Sequence, residues 1–160
     1  MRGEDAVVIN WTELTTFEIS QERDVSAPWI LVLETLRDAT HLQIKAEGSW
    51  AAMGGSLTVC GPDGHAGIPV VPERLIATDC PVGALIGKIG GSSAAVSSAA
   101  HMYASERPVG EGKPFAIGSH CVATVPDKSI GPLFVGFNCL FRPVRVSRLK
   151  VVVAGSRPTT

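Results

Sequence analysis

Asp63, His65, Glu73 and Asp79 fall in one turn-rich stretch of the chain, and their side chains suit the recognition of hydroxyl groups. A sugar site needs directional hydrogen bonds to hydroxyls beside an apolar or aromatic platform. Asp63 supplies an acceptor, His65 and Glu73 can accept or donate, and Trp50 upstream is the candidate platform. Each residue also has a plainer reading. Trp50 suits core packing, His65 a solvated turn, and Glu73 a surface ion pair with its neighbour Arg74. Asp79 with Glu73 could instead form a glycosidase-like carboxylate pair, although acidic loop residues are usually solvated.

Other chemistries find less support. His65, Asp63, His101, His120, Cys121 and Cys60 are zinc-type donors, but their spacing matches no compact finger. His120 and Cys121 are neighbours on an expected strand, so they point to opposite faces and make neither a metal pair nor a nucleophile–base couple. Gly83 to Lys88 lacks the spacing of a phosphate loop, and Ile89 stands where a Ser or Thr would hold magnesium. Gly110-Glu111-Gly112-Lys113 runs into Pro114. No G-x-S-x-G or H-E-x-x-H is present. These patterns predict a non-enzymatic protein with no catalytic residue. Arg142, Arg145, Arg148 and Lys150 form a basic cluster. It reads as an anion site or as a solvated basic edge that blocks strand-to-strand aggregation.

The chain has 160 residues, with 14 Lys+Arg against 15 Asp+Glu and a net charge of −1. That balance offers no electrostatic attraction to nucleic acid or anionic lipid. The length suits one domain, able to bury roughly 70% of the surface its unfolded form exposes. The start, MRGEDAVVINW, has acidic residues where a signal peptide is basic, and no run is long enough to span a bilayer. The expectation is a soluble, cytoplasmic product, with export by a signal-less route left open. Cys60, Cys80, Cys121 and Cys139 form no C-x-x-C pair and are expected as reduced, mostly buried thiols. Two bridges in any of three pairings remain open.

Elements that would position these residues read as strands. Leu42, Ile44 and Ala46 alternate with Gln43, Lys45 and Glu47, as in a half-buried strand. Further apolar runs are Ala6 to Ile9, Leu14 to Ile19 (completing a first hairpin), Trp29 to Leu36, and Leu57 with Val59. Gly83 to Ile89, Phe115 to Ile117, Cys121 to Val125, Leu133 to Asn138 and Leu149 to Ala154 follow. Gly61-Pro62-Asp63-Gly64, Gly90-Gly91, Pro108 to Pro114 and Pro126 to Ser129 mark turns between them. Short strands at this spacing predict an all-β antiparallel sandwich or barrel in a single domain, 1–155. Residues 91–113 read as a loop or short helical insertion centred on Ser93 to Tyr103, and Ser156 to Thr160 as a frayed tail.

Several fragments carry a resemblance. IKAEGSWAAMGG holds Gly48 and Trp50; Gly61-Pro62-Asp63-Gly64 matches a Gly-Pro-x-Gly turn; Cys80 to Gly90 reads CPVGALIGKIG. Ile117-Gly118 and the run Gly131 to Asn138 complete the set, in order, over Val25 to Gly155. The chain thereby resembles the galactophilic lectin I (PA-I type) family of the galactose-binding-like β-sandwich superfamily. The resemblance implies a jelly-roll-like sandwich of two antiparallel sheets, calcium-mediated binding of a galactose-type sugar at the loop end, and a homo-oligomer. It also maps the family's calcium ligands. The Tyr position falls on Met53 and the Asp position on Cys139, and the loop that follows has three arginines and no Asn. Calcium takes six to eight oxygen ligands, so the family metal site is expected to be lost and no cofactor is expected. The resulting expectation is a lectin-like carbohydrate-binding module with Trp50, Met53, Asp63, His65, Glu73 and Cys139 at its ligand site. The alternative is a structural or assembly module that uses the sandwich for self-association or a protein partner.

Overall fold

A computed structural model of the chain describes residues 10–26, 29–36, 38–51, 59–65, 75–90, 112–125, 131–139 and 144–156. These residues form ten strands and no helix. The strands are β1 (Thr12–Ile19), β2 (Arg23–Val25), β3 (Ile30–Leu33), β4 (His41–Ala51) and β5 (Val59–Cys60). Then come β6 (Leu85–Ile89), β7 (Phe115–Ala116), β8 (His120–Thr124), β9 (Leu133–Phe137) and β10 (Val144–Ser156). They build two antiparallel sheets. The larger follows the order β1-β10-β4-β5, with β2 also paired to β10 and β8 to β4; the smaller runs β3-β9-β6-β7.

Alternation sets the inner faces. Leu42, Ile44, Ala46 and Trp50 of β4 face inward with Val146, Leu149, Val151 and Val153 of β10. They meet Leu85, Ile89, Leu133, Val135 and Phe137 of the smaller sheet in one core. Trp50 stacks at a tilt on Phe137 across the layers, with ring centroids 4.8 Å apart. The two-sheet sandwich expected from the sequence is therefore present.

The smaller sheet is buried on both faces along its central strands, β6 and β9. Its outer face packs Ala84, Ile86 and Phe134 against Trp29 and the segment holding Ile76, Ala77 and Cys80, a second apolar cluster. This explains why all five residues of β6 are buried. Lys88 sits on this outer face and is only 4% exposed. Its ammonium lies 4.7 Å from the Trp29 ring and 5.3 Å from the Phe134 ring, close enough for cation–π attraction. Burial lowers its pKa.

Three expectations are corrected. Ser156 is not tail: it ends β10, is buried, and its carbonyl accepts from the Thr40 backbone N–H and hydroxyl. Arg145 and Arg148 lie within β10, which begins at Val144 rather than with the apolar run at Leu149. β10 is not an edge, because it runs between β1 and β4. The four cysteines are reduced, with no disulfide between them. Ala6 to Ile9, Ser93 to Tyr103 and residues 157–160 lie outside the described residues.

Candidate functional site

Of the polar stretch singled out in the sequence, residues 63–65 and 75–79 are described, and the turn that holds the first bonds to the smaller sheet, with Leu85 N–H donating to the Pro62 carbonyl at 2.8 Å. Gly61 to Gly64 turns between β5 of the larger sheet and β6 of the smaller. Gly64 N–H donates to the Gly61 carbonyl at 3.0 Å, and His65 N–H to the Val82 carbonyl at 2.9 Å. Gly64 has φ +76°, and a Cβ there would lie 2.7 Å from the Ala84 nitrogen. A second crossing, from β7 to β8, runs alongside it. Ile117 and Gly118 both donate to the Leu85 carbonyl, at 3.0 and 3.1 Å.

Asp63 ties the two crossings together. Its Oδ1 accepts the Ser119 backbone N–H at 3.0 Å, and its Oδ2 the Ser119 hydroxyl at 3.5 Å. Gly118, at φ +64°, leaves room for this, since a Cβ would stand 2.7 Å from Asp63 Oδ1. The carboxylate therefore caps a turn while staying solvent-exposed.

Asn138, fully buried at the end of β9, anchors the covering segment. Its Oδ1 accepts the backbone N–H of Ile76 at 2.9 Å and of Ala77 at 2.8 Å. Its Nδ2 donates to the carbonyls of Ala77 at 2.9 Å and of Cys80 and Pro81 at 3.0 Å. Buried polar groups must find partners, and here one amide fixes a whole loop. That loop presents Thr78 and Asp79 to solvent. Nothing in the sequence separates Asn138 from a surface Asn at a strand end, so its role was not legible there.

Trp50 is not a platform. It is fully buried, and its Nε1 donates to the Gly83 carbonyl at 2.7 Å. The plainer core reading is what the structure shows for this residue. His65 is half-buried beside Val82. Cys139 is buried, its backbone N–H turned to the Phe137 carbonyl at 2.7 Å. A buried thiol is a poor ligand for a hard cation, so the residue at this position does not fit calcium. Among the described residues no group of three or more His, Cys, Asp or Glu side chains is placed to hold a metal ion. Met53, Glu73, His101 and Arg142 lie outside the described residues.

The two described arginines of the basic cluster are paired on the outer face of the larger sheet. Arg145 Nε meets Asp24 Oδ1 at 3.1 Å, and Arg148 Nη2 meets Glu47 Oε1 at 2.9 Å. Exposed pairs of this kind add little stability, but they occupy the two guanidinium groups with carboxylates. The thiols are poor nucleophiles. Burial pushes Cys60 up to about 11, while burial and then the Asp79 carboxylate push Cys80 up to about 12; the thiolate is the reactive form. His120 is exposed and Cys121 half-buried on successive positions of β8, on opposite faces.

Comparison of the chain with protein-family models and with curated proteins finds no match.

Proposed function

We propose that the chain is a non-enzymatic binding module that holds a galactose-type carbohydrate, without calcium, on the side of the sandwich closed by residues 61–65, 75–84 and 117–119. The finer reading of the sandwich as a galactose-binding-like jelly roll belongs to this proposal and rests on the sequence fragments quoted above. The observation that carries it is the anchoring of the 75–81 segment by Asn138. A loop held by Asn138 and displaying exposed Thr78 and Asp79 gives hydroxyl-binding groups a fixed geometry, which lowers the ordering cost of binding. The raised thiols support a binding role over nucleophilic catalysis.

Glycan-array screening followed by calorimetry, each with and without a chelator, tests this. Binding to galactose-terminated glycans is expected to survive the chelator and to weaken at least tenfold in Asp79→Ala. Silence on every glycan overturns the carbohydrate reading. Binding that vanishes with the chelator overturns its calcium-free mode.

A further inference from the structure

We propose that β8 is a self-pairing edge through which two copies of the chain join their larger sheets about a two-fold axis at Val122. The register of β8 on β4 determines which backbone groups it leaves open. Ala46 N–H donates to the Ser119 carbonyl and Val125 N–H to the Thr40 carbonyl, each at 2.9 Å. In an antiparallel ladder such bonded positions alternate, so Ser119, Cys121, Ala123 and Val125 turn their backbone toward β4. His120, Val122 and Thr124 turn their N–H and C=O groups the other way. Among the described residues β8 pairs with β4 alone. The side chains of these three residues are exposed, Val122 by 53%.

Edge strands ordinarily carry a charge, a proline or a bulge that prevents pairing. β1 has Glu13, Glu18 and a register shift; β2 has Arg23 and Asp24; β3 has a register shift. β8 reads HCVAT, with no Lys, Arg, Asp, Glu or Pro, and pairs with β4 without a shift. β5 (Val59–Cys60) is uncharged too but only two residues long, itself a protection, so among the described residues β8 is the longer unprotected edge of the larger sheet.

The strand also complements itself. An antiparallel copy centred on Val122 sets Val122 against the partner's Val122, and His120 against the partner's Thr124. All of these positions face outward, so every pair is of the kind that exchanges two backbone bonds. Cys121 falls opposite the partner's Ala123, and no like charges meet. This match to itself selects a second copy as the occupant over a strand from another protein. The contact is isologous and closes after two copies. A five-residue strand buries less than the roughly 1,200–2,000 Å² of a stable interface, so association is concentration-dependent. The inference does not rest on the carbohydrate reading.

Sedimentation velocity of the full chain, from low micromolar to several hundred micromolar, tests it. The weight-average mass is expected to rise from 16.8 kDa toward twice that value. Val122→Lys sets two ammonium groups across the axis and should weaken association at least tenfold. Val59→Lys, at a valine 54% exposed on β5, should leave it unchanged. Hydrogen exchange of the unmodified chain provides a readout independent of the variants' folding. The amides of His120, Val122 and Thr124 should gain protection as concentration rises. A monomeric mass throughout, dimerisation unaffected by Val122→Lys, or β8 amides that gain no protection would each overturn the proposal; protection gained only on adding a strand peptide of another protein would do the same.

Discussion

Asn138 shows how much one side chain can decide. Its amide satisfies two N–H groups and three carbonyls of the 76–81 segment from a fully buried position. Removing one partner of a buried bond leaves the other desolvated and unpaired, at about 1–3 kcal/mol. Asn138→Leu keeps the volume and strands the Ile76 and Ala77 N–H groups and the Cys80 carbonyl, while the Ala77 and Pro81 carbonyls keep their bonds from the Cys80 and Ala84 N–H groups. It should lower unfolding stability by about 3–4 kcal/mol, at the upper end for a single substitution. Urea unfolding checks the size, and faster exchange of the Ile76 and Ala77 amides checks the cause. A loss under about 1 kcal/mol would mean that the loop holds itself. Trp50 makes the complementary point. An indole at the end of an alternating strand satisfies the sequence pattern of a core residue and of a sugar platform equally. Only its bond to the Gly83 carbonyl and its position over Phe137 settle which it is.

At the scale of elements, strands were legible because alternation is local, whereas neighbours were not. Leu42, Ile44 and Ala46 predicted β4, and the run from Gly83 to Ile89 predicted a buried strand, as β6 is. The cover on its outer face comes from Trp29 and from Ile76 to Cys80, which no periodicity within β6 could name. The basic residues of β10 suggested an edge, yet pairing with β1 and β4 puts that strand in the middle. Among the described residues β8 pairs on one side only, with β4, and its position beside β4 is not written in its own residues. Gly48 is another feature whose meaning comes from the neighbouring strand. It sits at φ +145° opposite Leu149, just beyond the register shift between Val146 and Arg148, and a Cβ there would collide with the Arg148 carbonyl. Gly48→Ala should therefore cost about 2–4 kcal/mol, from the strained φ and the overpacking together. Thermal unfolding measures it. A variant within about 0.5 kcal/mol of the parent, the usual range for a neutral surface change, would show that the bulge relaxes at no cost.

Taken whole, the molecule stores its titratable thiols and one lysine inside two apolar clusters, and this fixes the sign of its alkaline stability. Cys60 and Cys80 hold their protons to about 11 and about 12, whereas the free thiol value is 9.0. Between 9 and 11 the unfolded chain therefore binds fewer protons than the folded one, so stability falls as pH rises through that window. Below 9 their contribution is intact. Lys88 acts in the opposite sense. Burial lowers its pKa from 10.5, so in the range just below 10.5 the unfolded chain binds the extra proton and stability rises with pH. Cys121 is also raised by burial, which leaves three thiols against one amine and predicts a net fall. Urea midpoints measured from pH 8 to pH 11 should decrease. Cys60→Ala should flatten that decrease, and Lys88→Met should steepen it by removing the opposing group. A midpoint that stays level or climbs across the window, with both variants parallel to the parent, would show that the clusters admit water and that the thiols titrate as freely in the folded chain as in the unfolded one.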